Sequence, residues 1–146
     1  MFFTENRKAY FNYEIKDRFE AGIELLGLEV KSVRAGRISL DASYVILSAG
    51  EAYIIGATIQ PYQAKNTPKE YDPDRTRKLL LSKKELSELQ KISETKGLTI
   101  VPLSVYSKGR RIKLEIGIGK GKKLHDKRES IKKRDTDREI RREMKS

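Results

Sequence analysis

Two carboxylates, one imidazole and a run of glycines are the residues here whose types suggest chemistry. Glu20 and Glu29 are candidates for the paired acids of a metal-dependent nuclease, although nothing in their spacing singles them out. His125 is the sole histidine and cysteine is absent. A nucleophile-plus-base arrangement is therefore hard to assemble, and disulfides and thiolate metal sites are excluded. The segment Gly117-Ile118-Gly119-Lys120-Gly121-Lys122-Lys123 looks like a phosphate loop but fails both standard patterns. A P-loop needs glycine where Ile116 stands and Ser or Thr where Lys123 stands; a dinucleotide fingerprint needs glycine at Lys122. A flexible basic hinge is the better reading, and its bare N–H groups and ammonium heads suit RNA phosphates.

Catalysis being poorly supplied, binding is the expectation. The 146 residues hold 32 Lys and Arg against 21 Asp and Glu, a formal net charge of +11. Such an excess attracts a polyanion, nucleic acid or an anionic membrane surface. No apolar run approaches the roughly 20 residues that span a bilayer. The opening Met1-Phe2-Phe3-Thr4-Glu5 has neither the charged start nor the apolar stretch of a signal peptide. A cytoplasmic protein without membrane or cofactor is expected.

The cations fall into clusters. Asn6, Arg7 and Lys8 lie next to Tyr10, Phe11 and Tyr13, a mixture of charge and stacking rings suited to single-stranded RNA. Lys31 and Arg34 follow Glu29 on what is equally a simple exposed helix face. Arg75, Arg77 and Lys78 precede Leu79-Leu80-Leu81, as RNA contacts or as a charged loop entering a core segment. From residue 119 onward the chain is a tail of twelve Lys or Arg against six Asp or Glu, with few apolar residues. That composition cannot bury enough surface to offset ordering entropy. Arg134, Arg138, Arg141 and Lys145 would nevertheless line one face of a helix, supported by Asp137 and Arg141 at i,i+4. A tail disordered when free and helical in an RNA groove is expected; a merely solvated tail is the alternative.

The elements that must carry these residues are mostly strands. Ile112–Ile118 alternates apolar and charged positions, which buries one face and wets the other. Its hairpin partner is Leu98–Tyr106, joined through Lys108-Gly109, with Pro102 marking an edge or a bulge. Tyr44–Leu47 and Ala52–Ile59 form a second hairpin around Ala49-Gly50, and Ala21–Leu25 is a further strand that Tyr13–Ile15 extends. One helix is predicted over Gly27–Arg34. Another begins at the capping box Ser82-Lys83-Lys84-Glu85, carries Leu86, Leu89 and Ile92 on one stripe, and stops at Gly97. Prolines 61, 68 and 73 mark a long loop over residues 62–77. The domains expected are a flexible arm at 1–12, a barrel at 13–118 and a basic tail at 119–146. The fold class is mainly β, a small antiparallel barrel of oligonucleotide-binding type with two or three short helices.

Several ordered segments together resemble the small protein B family, the tmRNA-binding proteins of bacterial trans-translation. They include Asn6-Arg7-Lys8-Ala9, Phe19-Glu20-Ala21-Gly22-Ile23, Glu29-Val30-Lys31-Ser32-Val33-Arg34-Ala35-Gly36, Asp72-Pro73-Asp74-Arg75-Thr76-Arg77-Lys78-Leu79-Leu80-Leu81 and Gly119-Lys120-Gly121-Lys122-Lys123-Leu124-His125-Asp126-Lys127-Arg128. The resemblance implies a six-stranded barrel that binds the tRNA-like domain of tmRNA and accompanies it into the A site of a stalled ribosome, without catalysis. It implies that Asn6, Tyr13, Glu20 and Leu80 form the tmRNA-binding face, with Arg7, Lys8, Lys31, Arg34, Arg75, Arg77 and Lys78 as cationic contacts. Lys120, Gly121, Lys122, Lys123, His125, Lys127 and Arg128, followed by Arg134 and Arg138, would meet the decoding centre and mRNA channel. Elongation factor Tu is a further implied partner. Tyr10-Phe11 departs from the family pattern, which has more basic residues there, so stacking takes the place of charge.

Overall fold

The computed structural model describes residues 1–122. Its elements run β1 (Phe2–Glu5), α1 (Arg7–Asn12), β2 (Tyr13–Ile23), α2 (Gly27–Arg34), β3 (Ile38–Ser39), β4 (Tyr44–Ser48), β5 (Glu51–Ile55), β6 (Thr58–Ile59), β7 (Arg77–Leu80), α3 (Lys83–Ser93), β8 (Leu98–Lys108) and β9 (Arg111–Gly121). Seven strands form one antiparallel sheet in the order β1-β8-β9-β2-β7-β5-β4, while β3 and β6 pair as a separate ribbon. The fold is therefore mainly β with three short α-helices, but it differs from a closed six-stranded barrel. The sheet curls until β4 lies near β8, yet among the described residues β1 and β4 do not pair.

Besides the short β3, two segments supply strands that sequence periodicity did not reveal. Residues 2–5 pair with β8, and Arg7–Asn12 is helical, where a flexible arm was expected. Asn6 explains the difference: its N–H donates to the Leu103 carbonyl at 2.7 Å and its side-chain Nδ2 to the Pro102 carbonyl at 2.9 Å. Arg77–Leu80 becomes β7 between β2 and β5, where a charged loop was the alternative. The β8–β9 hairpin, α2 and α3 lie where periodicity and caps placed them, whereas the strand expected over Ala52–Ile59 breaks at Gly56, φ +79, into β5 and the separate β6. Ser82 Oγ accepts from the Glu85 N–H at 3.2 Å, and Glu85 Oε1 accepts from the Ser82 N–H at 3.1 Å. Gly97 takes φ +88, as a chain leaving a helix for a strand often requires. Pro102 sits at a β-bulge, not an edge, because β1 flanks β8 on its other side.

The main core joins Ala21, Ile54, Leu79, Leu114 and Ile116 from the concave sheet face to Leu89 of α3. Leu89 is fully buried, so cutting it to alanine costs about 2–5 kcal/mol. A smaller cluster on the other face packs Ala9 of α1 on Val101 and Leu103, with Tyr13 beside them. Here the glycines reveal their purpose. A Cβ on Gly117 would lie 2.7 Å from Leu103 Cδ1, and one on Gly119 would lie 2.7 Å from Tyr13 Cβ. Both are strand residues crossed by a neighbouring side chain, so the expected hinge at residue 119 is not there. The strand continues to Gly121, and the Lys122 N–H donates to the Asn12 carbonyl at 2.9 Å.

Candidate nucleic-acid interface

Strand alternation sorts the functional candidates by face. Phe19, Ala21 and Ile23 of β2 point to the core, which turns Arg18, Glu20 and Gly22 outward. Register then assembles the convex face: Glu20 opposes Glu115, Gly22 opposes both Lys113 and Leu80, and Tyr106 opposes Lys113 on its other side. Lys78, two residues from Leu80, shares this face and opposes Tyr53.

Two carboxylates side by side would repel, and each has its own donors. Glu20 accepts hydrogen bonds from the Tyr106 hydroxyl and, at 3.1 Å, from Lys108 Nζ. These bonds, Tyr106 first, hold its carboxyl below the usual range, and Tyr106, pushed up by burial and by its carboxylate partner, stays a protonated donor. Phe2 packs on the Tyr106 ring at 5.8 Å between centroids. Glu115 pairs with Arg18, whose guanidinium also lies 5.7 Å from the Tyr10 ring centre. Leu80 stands 52% exposed beside this polar row. Lys78 is half-buried and 3.7 Å from Glu51. The result is an exposed apolar step flanked by a fixed anion and paired surface cations, able to accept base amino groups and attract phosphates.

The second group of candidates surrounds α2, and burial divides it. Lys31 and Arg34 are exposed; Arg34 Nη2 donates to the Arg110 carbonyl at 2.7 Å and so ties α2 to the β8–β9 turn. Arg77 is 1% exposed, its guanidinium enclosed by Glu29 and by the carbonyls of Ala57 at 2.8 Å and Pro73 at 3.0 Å. It cannot reach a phosphate, which corrects the expectation of a direct RNA contact. Glu29 likewise is fully buried rather than on an exposed helix face. Its Oε1 accepts from the Leu26 N–H at 2.8 Å, its oxygens from Arg75, and its Oε2 from the Tyr71 hydroxyl at 3.0 Å. Burial opposes the Glu29 charge, but Arg75, the Leu26 N–H and Arg77 outweigh it and hold the carboxyl below its ordinary value. Arg75 is partly exposed and reaches the surface from this hub.

The N-terminal candidates separate in the same way. Asn6 is 6% exposed and anchors α1, and its Oδ1 is buried without a protein partner among the described residues. Arg7 and Lys8 are exposed, and Tyr13 is half-buried over Gly119. Lys120 and Gly121 are exposed at the end of β9 and Lys122 follows them. Lys123, His125, Lys127, Arg128, Arg134 and Arg138 lie outside the described residues. Glu20 and Glu29, each held by its own cations, do not form the paired acids of a nuclease. Among the described residues, no group of three or more His, Asp or Glu is placed to hold a metal ion, and no helix is long and apolar enough to cross a membrane.

Sequence reasoning missed Tyr106, Lys108, Lys113 and Arg18, which hold or flank the Glu20 row, and Tyr71, which bonds Glu29. The alternation in 112–118 marked Lys113 as outward, but only strand register could show that it neighbours Glu20.

A family model described as SmpB protein matches residues 3–146. The SsrA-binding protein of Microcystis aeruginosa is 53% identical over 142 residues, covering 97% of this chain and 92% of that one. The SsrA-binding protein of Oleidesulfovibrio alaskensis is 53% identical over 141 residues, covering 97% and 90%. Among solved structures, a chain from "tmRNA-SmpB: a journey to the center of the bacterial ribosome" superposes with a TM-score of 0.68 at 45% identity, covering 83% of this chain and 85% of the other.

Proposed function

The chain belongs to the SmpB protein family, and on that premise we propose that it binds the tRNA-like domain of tmRNA and delivers it to the A site of stalled ribosomes for trans-translation. It acts by binding, not by chemistry. The observation that carries this reading is the convex face on which Glu20, kept charged by Tyr106 and Lys108, lies beside exposed Leu80. A carboxylate on a protein of net charge +11 contributes nothing to bulk attraction for RNA. Its use is specific: it accepts hydrogen bonds from base amino groups. Lys31, Arg34, Lys78 and the exposed part of Arg75 supply phosphate contacts around it, with Arg7 and Lys8 beyond Tyr13. Arg77 acts by holding Glu29 and thereby α2. Asn6 acts at least through the seating of α1.

The curled antiparallel sheet is read as an open barrel of oligonucleotide-binding type, its convex face serving the RNA. Residues beyond Lys122, among them Lys123, His125, Lys127, Arg128, Arg134 and Arg138, are assigned to the decoding centre and empty mRNA channel. Lys120 and Gly121 stand at their root. Elongation factor Tu is a proposed companion on aminoacylated tmRNA, and the cytoplasm is the compartment.

Competition binding tests the reading. The full chain is titrated with labelled tmRNA in the presence of bulk tRNA, beside Glu20→Ala and a truncation after Lys122. Preference for tmRNA, loss of that preference in Glu20→Ala, and retained RNA binding but lost tagging in the truncation are expected. Tighter tmRNA binding by Glu20→Ala, as simple electrostatics demands, would defeat the role given to Glu20.

A further inference from the structure

Leu80 is a ridge between two clefts of opposite character. On one side, a depression of about 350 Å³ has Ile23, Val30 and Leu80 in its aliphatic lining, and Arg110, Arg111 and Lys113 around it; no carboxylate lines it. On the other side, a cleft of about 470 Å³ is lined by Glu20, Glu51 and Glu85 together with Lys78 and Lys113. Leu80 and Lys113 belong to both. Arg110 and Arg111 are exposed, and neither side chain makes an ion pair among the described residues. The turn that carries them is nonetheless fixed, because Arg34 holds the Arg110 carbonyl. Gly22 forms the seam between strands: an added Cβ would lie 3.2 Å from Leu80 Cβ, so glycine leaves the floor of the cleft clear.

Each half of a nucleotide suits a different part of this depression. An unstacked base loses water-exposed apolar surface on an aliphatic floor. Its phosphate gains from guanidinium heads that have no competing carboxylate. Across the ridge three carboxylates offset the charge of Lys78 and Lys113, so that cleft attracts a phosphate less than the turn side does. We propose that the cleft between Leu80 and the β8–β9 turn seats one unstacked RNA nucleotide, its base on the aliphatic floor and its adjoining phosphate on Arg110 and Arg111. The carboxylates on the other side of the ridge bias this nucleotide's phosphate toward the turn side. This deepens the tmRNA reading and rests on it.

The experiment uses the full chain and a transcript of the tRNA-like domain of tmRNA. Affinity is measured over a salt series for the wild type, for Arg110→Gln with Arg111→Gln, and for Lys84→Gln on the exposed face of α3 as a charge control. Two lost phosphate contacts on a single strand should lower the slope of log affinity against log salt by about 1.4, with affinity down roughly tenfold at moderate salt, while Lys84→Gln leaves the slope near that of the wild type. In the wild type the methyl resonances of Leu80, Val30 and Ile23 should shift on saturation with RNA, as a stacked ring current demands. An unchanged slope in the double variant, an equal loss in Lys84→Gln, or unmoved methyl signals would each overturn the proposal. Bulk tRNA run in parallel separates the two readings. Equal affinity for tmRNA and tRNA defeats the tmRNA reading, whereas slope loss and methyl shifts with either RNA still uphold the nucleotide seat.

Discussion

Glu29 and Glu20 are each met by a tyrosine hydroxyl and by cations, yet the two clusters do opposite work. Around Glu29, Arg75, Arg77 and Tyr71 close over a carboxylate that is fully buried. Around Glu20, Tyr106 and Lys108 hold a carboxylate that solvent still reaches. In the first, donors and acceptor satisfy each other and α2 is bound to β7 and to the loop before it. In the second, the donors leave lone pairs open to an incoming group. Composition does not separate them; the register of the strands beneath does. A cation next to an acid is an architectural strut when both are dry and part of a binding surface when one side is wet.

The largest effect belongs to the dry cluster. Arg77→Ala leaves buried Glu29 with Arg75, Tyr71 and the Leu26 N–H and empties the buried site of the guanidinium, and urea unfolding should show a loss of about 3 kcal/mol. Arg77→Lys should fall between, since an ammonium cannot reproduce the forked contact. Unaltered stability with weakened RNA binding in Arg77→Ala would move Arg77 into the wet class and break the contrast. Next comes a pair of glycines. Gly119→Ala forces a Cβ toward Tyr13 and should cost about 1–3 kcal/mol, while Gly121→Ala, with open space at its Cβ, should leave the unfolding midpoint near that of the wild type.

Acid sharpens the contrast further. The folded Glu29 carboxyl lies below its ordinary value of 4.5. The unfolded chain therefore binds the proton first, and the stabilisation is complete above that value and lost as pH falls through the folded one. Stability measured from pH 6 to pH 3 should decline, and the decline should be shallower in Glu29→Gln, from a lower start. Glu20→Gln should also make this limb shallower, but by less, because the Glu20 carboxyl is held below its ordinary value too and solvent screens its partners. The smallest effect is Tyr106→Phe. It removes one donor from Glu20 and should weaken tmRNA binding roughly fivefold, the worth of one hydrogen bond, with bulk tRNA affinity unaltered. A loss equal for both RNAs would mean that Tyr106 serves packing with Phe2 rather than the carboxylate.

What could be read from the chain alone was what is local. The alternation of 112–118, the capping box at Ser82 and the stop at Gly97 are decided within a few residues, and those elements stand where expected. The seating of Asn6 against Pro102 and Leu103 depends on a partner far along the chain, and nothing in Asn6-Arg7-Lys8 signals it. β7 was obscured because its inward position is an arginine: Arg77 and Leu79 face in, Lys78 and Leu80 face out, so polarity does not alternate with burial. The glycines at 117 and 119 resembled a hinge because their crowding comes from Leu103 and Tyr13 on adjacent strands. Glu20 and Leu80 were named from the resemblance, and periodicity by itself had no means of pairing them.

The two tyrosines that organise the two carboxylates also make the clusters visible to light. The chain has seven tyrosines and no tryptophan, so near-ultraviolet absorption and emission are those of phenol rings. Tyr71 and Tyr106 hold their protons more tightly than an ordinary tyrosine, each through burial first and a carboxylate partner second. On an alkaline titration Tyr71 and Tyr106 therefore ionise later than an ordinary tyrosine would. One lag reports whether the buried strut is intact and the other whether the Glu20 row is assembled, and neither requires a label.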